Sequence, residues 1–190
     1  MAKTKTDMRE AVLAAARATV QARGYTALSF RELAKEVGIK SASVHYHFPT
    51  KGDLGVALAR RYTEEGAAYL EEILATAPDP RTCFDRYVGI FRAALANGNR
   101  MCLSGVMSAE LDDLPEEVRH EIDRFPRMNI AWIARVLATT KPSPSEEERN
   151  ERSMAIYAAV AGAQLIARGR NDISVYDRSI EAYRVSGLIP

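Results

Sequence analysis

Residues 40–51 read Lys-Ser-Ala-Ser-Val-His-Tyr-His-Phe-Pro-Thr-Lys: short hydroxyls, a methyl, two imidazoles and a phenol, bounded by two ammonium groups. Such groups hydrogen-bond to phosphate oxygens and touch base edges. The strong bidentate readers, Arg for guanine and Asn or Gln for adenine, are missing between positions 41 and 48. Base readout therefore falls to Lys40, to short hydroxyl contacts from Ser41 and Ser43, and to the Ala42 methyl against thymine, with DNA shape supplying the rest. His45, Tyr46 and His47 complete the exposed set. Lys51 stands in the first turn of the helix that follows, where backbone N–H groups already favour a phosphate. Elsewhere the chain has no nucleophile–base spacing, no Gly-rich phosphate loop and no metal motif, so no metal, cofactor or catalytic residue is expected.

Two helices and a turn must hold that row of groups. Ser29 and Glu32 have the spacing of a capping box, which satisfies free N–H groups at a helix entry. Phe30, Leu33, Ala34 and Val37 then repeat at helical spacing and define one buried face. Gly38 can enter the left-handed conformation that stops a helix. Ser41 is the expected N-cap of the next helix, whose Val44 and Phe48 point inward. This is the pattern of a helix-turn-helix, whose second helix enters the major groove.

The stretch resembles the DNA-binding domain of the TetR family of transcriptional regulators. The resemblance lies in His45-Tyr46-His47-Phe48-Pro49-Thr50-Lys51 with Leu54, and in Ala11–Tyr25, which ends Ala-Arg-Gly-Tyr. It covers about the first third of the chain. His45 stands where the family usually has Tyr. The resemblance implies that Tyr46, His47 and Lys51 grip the DNA backbone, that about nine helices follow one another, and that two chains pair through a four-helix interface.

Charge divides along the chain in the same sense. Residues 1–61 carry 11 Lys and Arg against 5 Asp and Glu, a net of +6, whereas the remainder carries a net of −5. A basic first third suits a DNA-binding end, because releasing phosphate counterions supplies most non-specific affinity. The two cysteines, Cys83 and Cys102, imply no disulfide framework. No signal-peptide core or membrane-length apolar run occurs, so the expected location is the cytoplasm, with no membrane partner.

Helical periodicity continues through almost the whole sequence, which predicts an all-α fold. It comprises an N-terminal three-helix helix-turn-helix domain over 1–50 and a helical ligand-binding and dimerisation domain over 51–190. A continuous helix from Lys51 to about Leu74 joins them. Pro115 opens a later helix that runs to about Thr139, and Pro126 is expected to bend it. Within 79–140, Tyr87, Phe91, Met101, Cys102, Met107, Met128 and Trp132 are candidates to line an apolar pocket; ordinary core packing reads the same residues equally well. Cys102 follows Arg100 at a helix start, a setting that favours the reactive thiolate, while a buried, inert cysteine is the simpler reading of the same position.

Ala155, Ala159, Gly162, Ala163 and Ala167 form a small-residue stripe that permits close helix approach, and Ile180 and Tyr183 supply a second helix. Together they are the expected dimer surface. Glu110, Asp112, Asp113, Glu116 and Glu117 with His120 could suggest acid–base chemistry, but carboxylates at helix starts account for them more simply. The sequence therefore points to a homodimeric, ligand-responsive regulator bound to double-stranded operator DNA. The small-molecule effector would shift the connecting helix and so the spacing of the two recognition helices. An enzyme carried on a basic targeting end, or a constitutive architectural DNA binder, are the readings from other classes.

Overall fold

The protein is described here by a computed structural model covering residues 5–190. The regular elements among these are all helical. In chain order they are α1 (Lys5–Arg23), α2 (Phe30–Val37), α3 (Ser41–His47), α4 (Lys51–Thr76), α5 (Pro80–Ala96) and α6 (Leu103–Ala109). A 3-10 turn (Leu111–Asp113) leads to α7 (Glu116–Ile122), α8 (Arg124–Leu137), α9 (Glu146–Gly169) and α10 (Ile173–Val185). The all-α fold with an N-terminal helix-turn-helix is as the periodicity indicated.

Local chemistry explains most boundaries, with three refinements. Ser29 Oγ accepts the Glu32 amide at 3.5 Å, a long bond. The full two-way capping box forms at α9, between Ser145 and Glu148. Lys40, and not Ser41, occupies the N-cap of α3, and no side chain bonds to that helix start. The helix expected over 115–139 is interrupted at Asp123, so Pro126 lies in the first turn of α8 instead of bending a longer helix. A first-turn residue has no intrahelical acceptor for its N–H, so proline costs little there. Gly38 ends α2 at φ 76°, and its neighbourhood returns N–H bonds to Ala34 and Lys35 as a left-handed cap does.

Packing divides the chain into two compact units. One comprises residues 1–62 together with 103–123, the other 63–102 together with 124–190. The first boundary falls within α4, twelve residues beyond the functional boundary expected at residue 50. In the N-terminal unit, Val12, Ala16 and Val20 of α1, Leu33 of α2, Val44 of α3 and Leu54 and Leu58 of α4 form one apolar cluster with Leu103, Met107 and Val118. In the C-terminal unit, Phe84, Tyr87 and Phe91 of α5, Trp132 and Ile133 of α8, Ile156 and Val160 of α9, and Tyr176 of α10 are all buried.

This partition changes the electrostatics. Residues 103–123 hold seven Asp and Glu against one Arg, a net of −6 that cancels the +6 of the helix-turn-helix segment within one unit. Any attraction to a polyanion then depends on where the cations sit and not on the unit's total charge.

Candidate nucleic-acid interface

Val44 and Phe48 anchor α3 in the core at 0% and 2% exposure, which turns the remaining positions outward. Lys40, Ser41, Ala42, His45 and Tyr46 are exposed, and Ser43 and His47 are half-buried. Tyr46 is the most open aromatic of the helix, at 67%. His47 packs edge-on against Tyr46, with ring centroids 5.3 Å apart. His45 is engaged within its own domain: its ring meets Phe30 edge-on at 4.7 Å, and its Nδ1 lies 3.4 Å from the Pro49 carbonyl. Its imidazole therefore braces α3 against α2, which limits its reach toward a groove. The Arg9 guanidinium covers the Phe48 ring at 5.2 Å and places another cation beside the end of α3.

Lys51 has more partners than its position suggests. Its Nζ donates to the Thr26 carbonyl at 3.1 Å and lies 4.7 Å above the Tyr25 ring. The Tyr25 hydroxyl in turn donates to the Lys51 carbonyl at 3.0 Å. Burial of the ammonium pulls its pKa below the usual lysine range, and Glu110 and Asp113 push it partly back. Burial, with Glu117 nearby, pushes the Tyr25 hydroxyl up to about 12, so it remains a donor. Thr50 and Asp53 close a reciprocal cap over the start of α4, with the Thr50 amide on Asp53 at 3.0 Å and the Asp53 amide on Thr50 Oγ1 at 3.0 Å. The whole Tyr25–Thr26–Glu110 corner escaped the sequence reading. Its only linear trace is Gly24, whose need for a left-handed backbone says nothing about the carboxylate it meets.

The candidate pocket residues do not all assemble. Tyr87, Phe91, Met101, Cys102 and Trp132 are buried in the C-terminal unit, and Met128 is half-buried there. Tyr87 stacks on Trp132 with centroids 5.4 Å apart and 24° between planes, and Phe91 meets Tyr87 edge-on at 5.5 Å. Trp132 Nε1 donates to the Leu70 carbonyl at 2.8 Å. Gln164 bridges two segments, accepting the Cys102 amide at 3.1 Å and donating to the Phe91 carbonyl at 2.8 Å. The Tyr87 hydroxyl is fully buried with no hydrogen-bond partner, and burial raises its pKa well above the ordinary tyrosine value. Met107 stands apart, at 0% exposure in the apolar cluster of the N-terminal unit, because α6 packs there against α1. A groove lined by Pro142, Pro144, Glu148, Arg152 and Ala155 opens elsewhere, around the loop before α9.

The expected dimer surface is likewise divided. Ala163, Ala167 and Ile180 are buried within their own unit, at 1%, 0% and 4% exposure, and cannot meet a second chain. Ala155 is exposed, and Ala159, Gly162 and Tyr183 are half-buried. Leu165, expected from the sequence to add contacts around the stripe, is 57% exposed, and the sequence reading missed Met154, Ile166 and Val185, which are 62%, 53% and 81% exposed. A finer periodicity would have separated the faces: Met154, Ala158, Gly162 and Leu165 follow one helical stripe, while Ile156, Val160, Ala163 and Ala167 follow the opposite one. The carboxylates near His120 stay separate side chains; His120 lies 3.6 Å from Glu116, both well exposed, and no group of three or more ligating residues fit for a metal forms among the described residues. Among those residues no helix is long and apolar enough to cross a membrane.

Residues 12–58 match the family model described as bacterial regulatory proteins, tetR family. Over 176 residues the chain is 27% identical to the HTH-type transcriptional repressor NemR of Escherichia coli K12, covering 87% of this chain and 86% of that one. A TetR transcriptional regulator from Legionella pneumophila superposes with a TM-score of 0.88 at 28% identity, over 100% of this chain and 99% of the other. The crystal structure of E. coli NemR in its reduced form superposes at 0.80 with 25% identity, over 97% and 98% of the two chains. At 14% identity and a TM-score of 0.71, FadR of Bacillus subtilis, solved with stearoyl-CoA, shares the fold over 90% of this chain and 95% of its own.

Proposed function

We propose that this chain, whose residues 12–58 match the tetR family model, is a TetR-family regulator: a cytoplasmic homodimeric repressor, released from a palindromic operator by a small molecule. The observation that carries this reading is the anchored recognition helix, with Val44 and Phe48 inside and Lys40, Ser41, Ala42, Ser43 and Tyr46 turned outward, followed at once by Lys51 at the start of α4. Two such helices one duplex turn apart, about 34–36 Å, read two half-sites, so a modest change in their separation loses one of them. In this reading 1–50 is the DNA-binding domain, and 51–190 binds the effector and pairs the subunits, with α4 as the covalent connection. Footprinting with enrichment from a random duplex pool tests the proposal. An enriched inverted repeat supports it, and protection of one asymmetric half-site by a monomer refutes it.

Lys51→Ala is expected to weaken binding to all sequences nearly equally and to reduce the salt slope by about one unit, since an ammonium that meets phosphate reads no base. Ser43→Ala is expected to relax preference at one position in each half-site. A Lys51→Ala protein with altered sequence preference and an intact salt slope would contradict the docking.

The effector is proposed to act at the aromatic core of the C-terminal unit, where Tyr87, Phe91, Trp132 and Cys102 are buried. NemR is known from a structure named for its reduced form, and FadR from a complex with an acyl-CoA. A structure named for its redox state and a complex with an acyl-CoA are therefore both known for this fold. Cys102 is the residue proposed to respond: its sulfur adds to the β-carbon of an enone or quinone, and a proton is taken up at the α-carbon or oxygen. A packed core resists the added volume at about 1–3 kcal/mol, the scale of ordinary allosteric coupling. Cys83, buried in the same unit with its thiol pushed up by that burial, is the internal control. Under a quinone challenge, Cys83→Ser should release DNA like wild type and Cys102→Ser should stay bound. Equal release by both variants would assign the signal to a non-covalent ligand.

A further inference from the structure

The acidic segment 103–123 is folded into the same unit as the helix-turn-helix, and one of its carboxylates holds a corner of the DNA-binding domain. Glu110 Oε2 accepts the Tyr25 amide at 2.5 Å, and Glu110 Oε1 accepts the Thr26 hydroxyl at 2.7 Å and the Thr26 amide at 3.4 Å. Gly24 makes room for it. Its φ is +90°, and a Cβ there would fall 2.5 Å from the Glu110 carboxylate. The same two residues hold Lys51 from the other side, with the Thr26 carbonyl on its Nζ and the Tyr25 hydroxyl on its carbonyl. Glu110, the Tyr25–Thr26 corner and Lys51 thus form one connected network spanning 85 residues of sequence.

We propose that Glu110 is a positioning residue for DNA binding, fixing the corner between α1 and α2 and through it the Lys51 ammonium and the first turn of α4 in the geometry that meets a phosphate. The proposal rests on the regulator reading above. It makes a prediction opposite in sign to simple electrostatics. Removing a negative charge from a protein that binds a polyanion should tighten binding if charge alone acts. If position acts, the corner relaxes, Lys51 loses its fixed direction, and binding weakens.

The test uses the full-length protein and a duplex enriched by the wild type from a random-sequence pool, with affinities read by fluorescence anisotropy across a salt series. Active fractions are set by stoichiometric titration, so a loss of folded protein does not register as a loss of affinity. Glu110→Ala is expected to weaken operator binding about tenfold, the scale of losing charge-assisted hydrogen bonds, with the salt slope lowered in the direction of Lys51→Ala. Thr26→Val, a surface change that removes only the hydroxyl, should weaken binding in the same direction, and Thr26→Ser should restore it. In the Glu110→Ala background Thr26→Val should add nothing, because the shared bond is already gone. Tighter or unchanged binding by Glu110→Ala overturns the proposal, as does full additivity of the two substitutions. A wild-type protein that enriches no duplex overturns the regulator reading and this proposal with it; enrichment without a Glu110 effect overturns this proposal alone.

Discussion

Trp132→Ala is expected to lower the stability of the C-terminal unit by about 3–5 kcal/mol, the usual cost of emptying a buried aromatic site. Trp132 is 2% exposed, and its ring stacks on Tyr87. Its indole N–H also satisfies the Leu70 carbonyl of α4. The substitution therefore leaves a cavity, removes a ring–ring contact and removes the indole's hydrogen bond to α4 together. Such a loss is comparable to a large share of the 5–15 kcal/mol by which ordinary domains are stable. Urea unfolding followed by far-ultraviolet circular dichroism measures it. Trp132→Phe keeps one ring and loses the donor with part of the indole volume, so a smaller cost of about 1–2 kcal/mol is expected there. If alanine costs no more than phenylalanine, the aromatic stack adds little and the site is loosely packed.

Leu165→Glu is expected to dissociate the proposed dimer and to reduce operator affinity at least about a hundredfold. Leu165 lies on the outward stripe of α9 with exposed Met154 and Ala158 and half-buried Gly162, and Ile166 adjoins it. An apolar stripe of this kind on the outside of a folded unit marks an interaction surface. A carboxylate buried there without a counter-charge costs about 3–5 kcal/mol, which at the upper end separates subunits at ordinary concentrations. A monomer keeps one recognition helix and can hold one half-site only. Sedimentation equilibrium gives the subunit state, and anisotropy on the enriched duplex gives the affinity. Val185→Glu on α10 should act in the same direction, since Val185 is 81% exposed in a single chain. A Leu165→Glu protein that remains a dimer would move the interface off this stripe.

The electrostatic argument also changes once the chain is folded. The basic character of residues 1–61 suggested a positively charged DNA-binding end. The structure folds against it a segment whose carboxylates neutralise that excess within the unit. In the proposed docking, affinity then depends on where individual cations stand, Lys40 and Lys51 among them, and so on the side chains that hold them.

The sequence by itself determined the elements and the first site. Helical spacing of Phe30, Leu33, Ala34 and Val37, a glycine able to take φ 76° at position 38, and the inward pair Val44 and Phe48 are local properties, so the helix-turn-helix and its exposed row could be read along the chain. Tertiary structure decided what requires distant residues to meet. It seated Met107 under α1, away from Tyr87 and Trp132, because α6 packs in the N-terminal unit. It divided the small-residue helix α9 into a buried and an exposed face, since alanine and glycine suit both. And it brought Glu110 to Tyr25 and Thr26 across more than 80 positions, a contact that no periodicity can encode because hydrogen bonds between remote segments leave no local pattern.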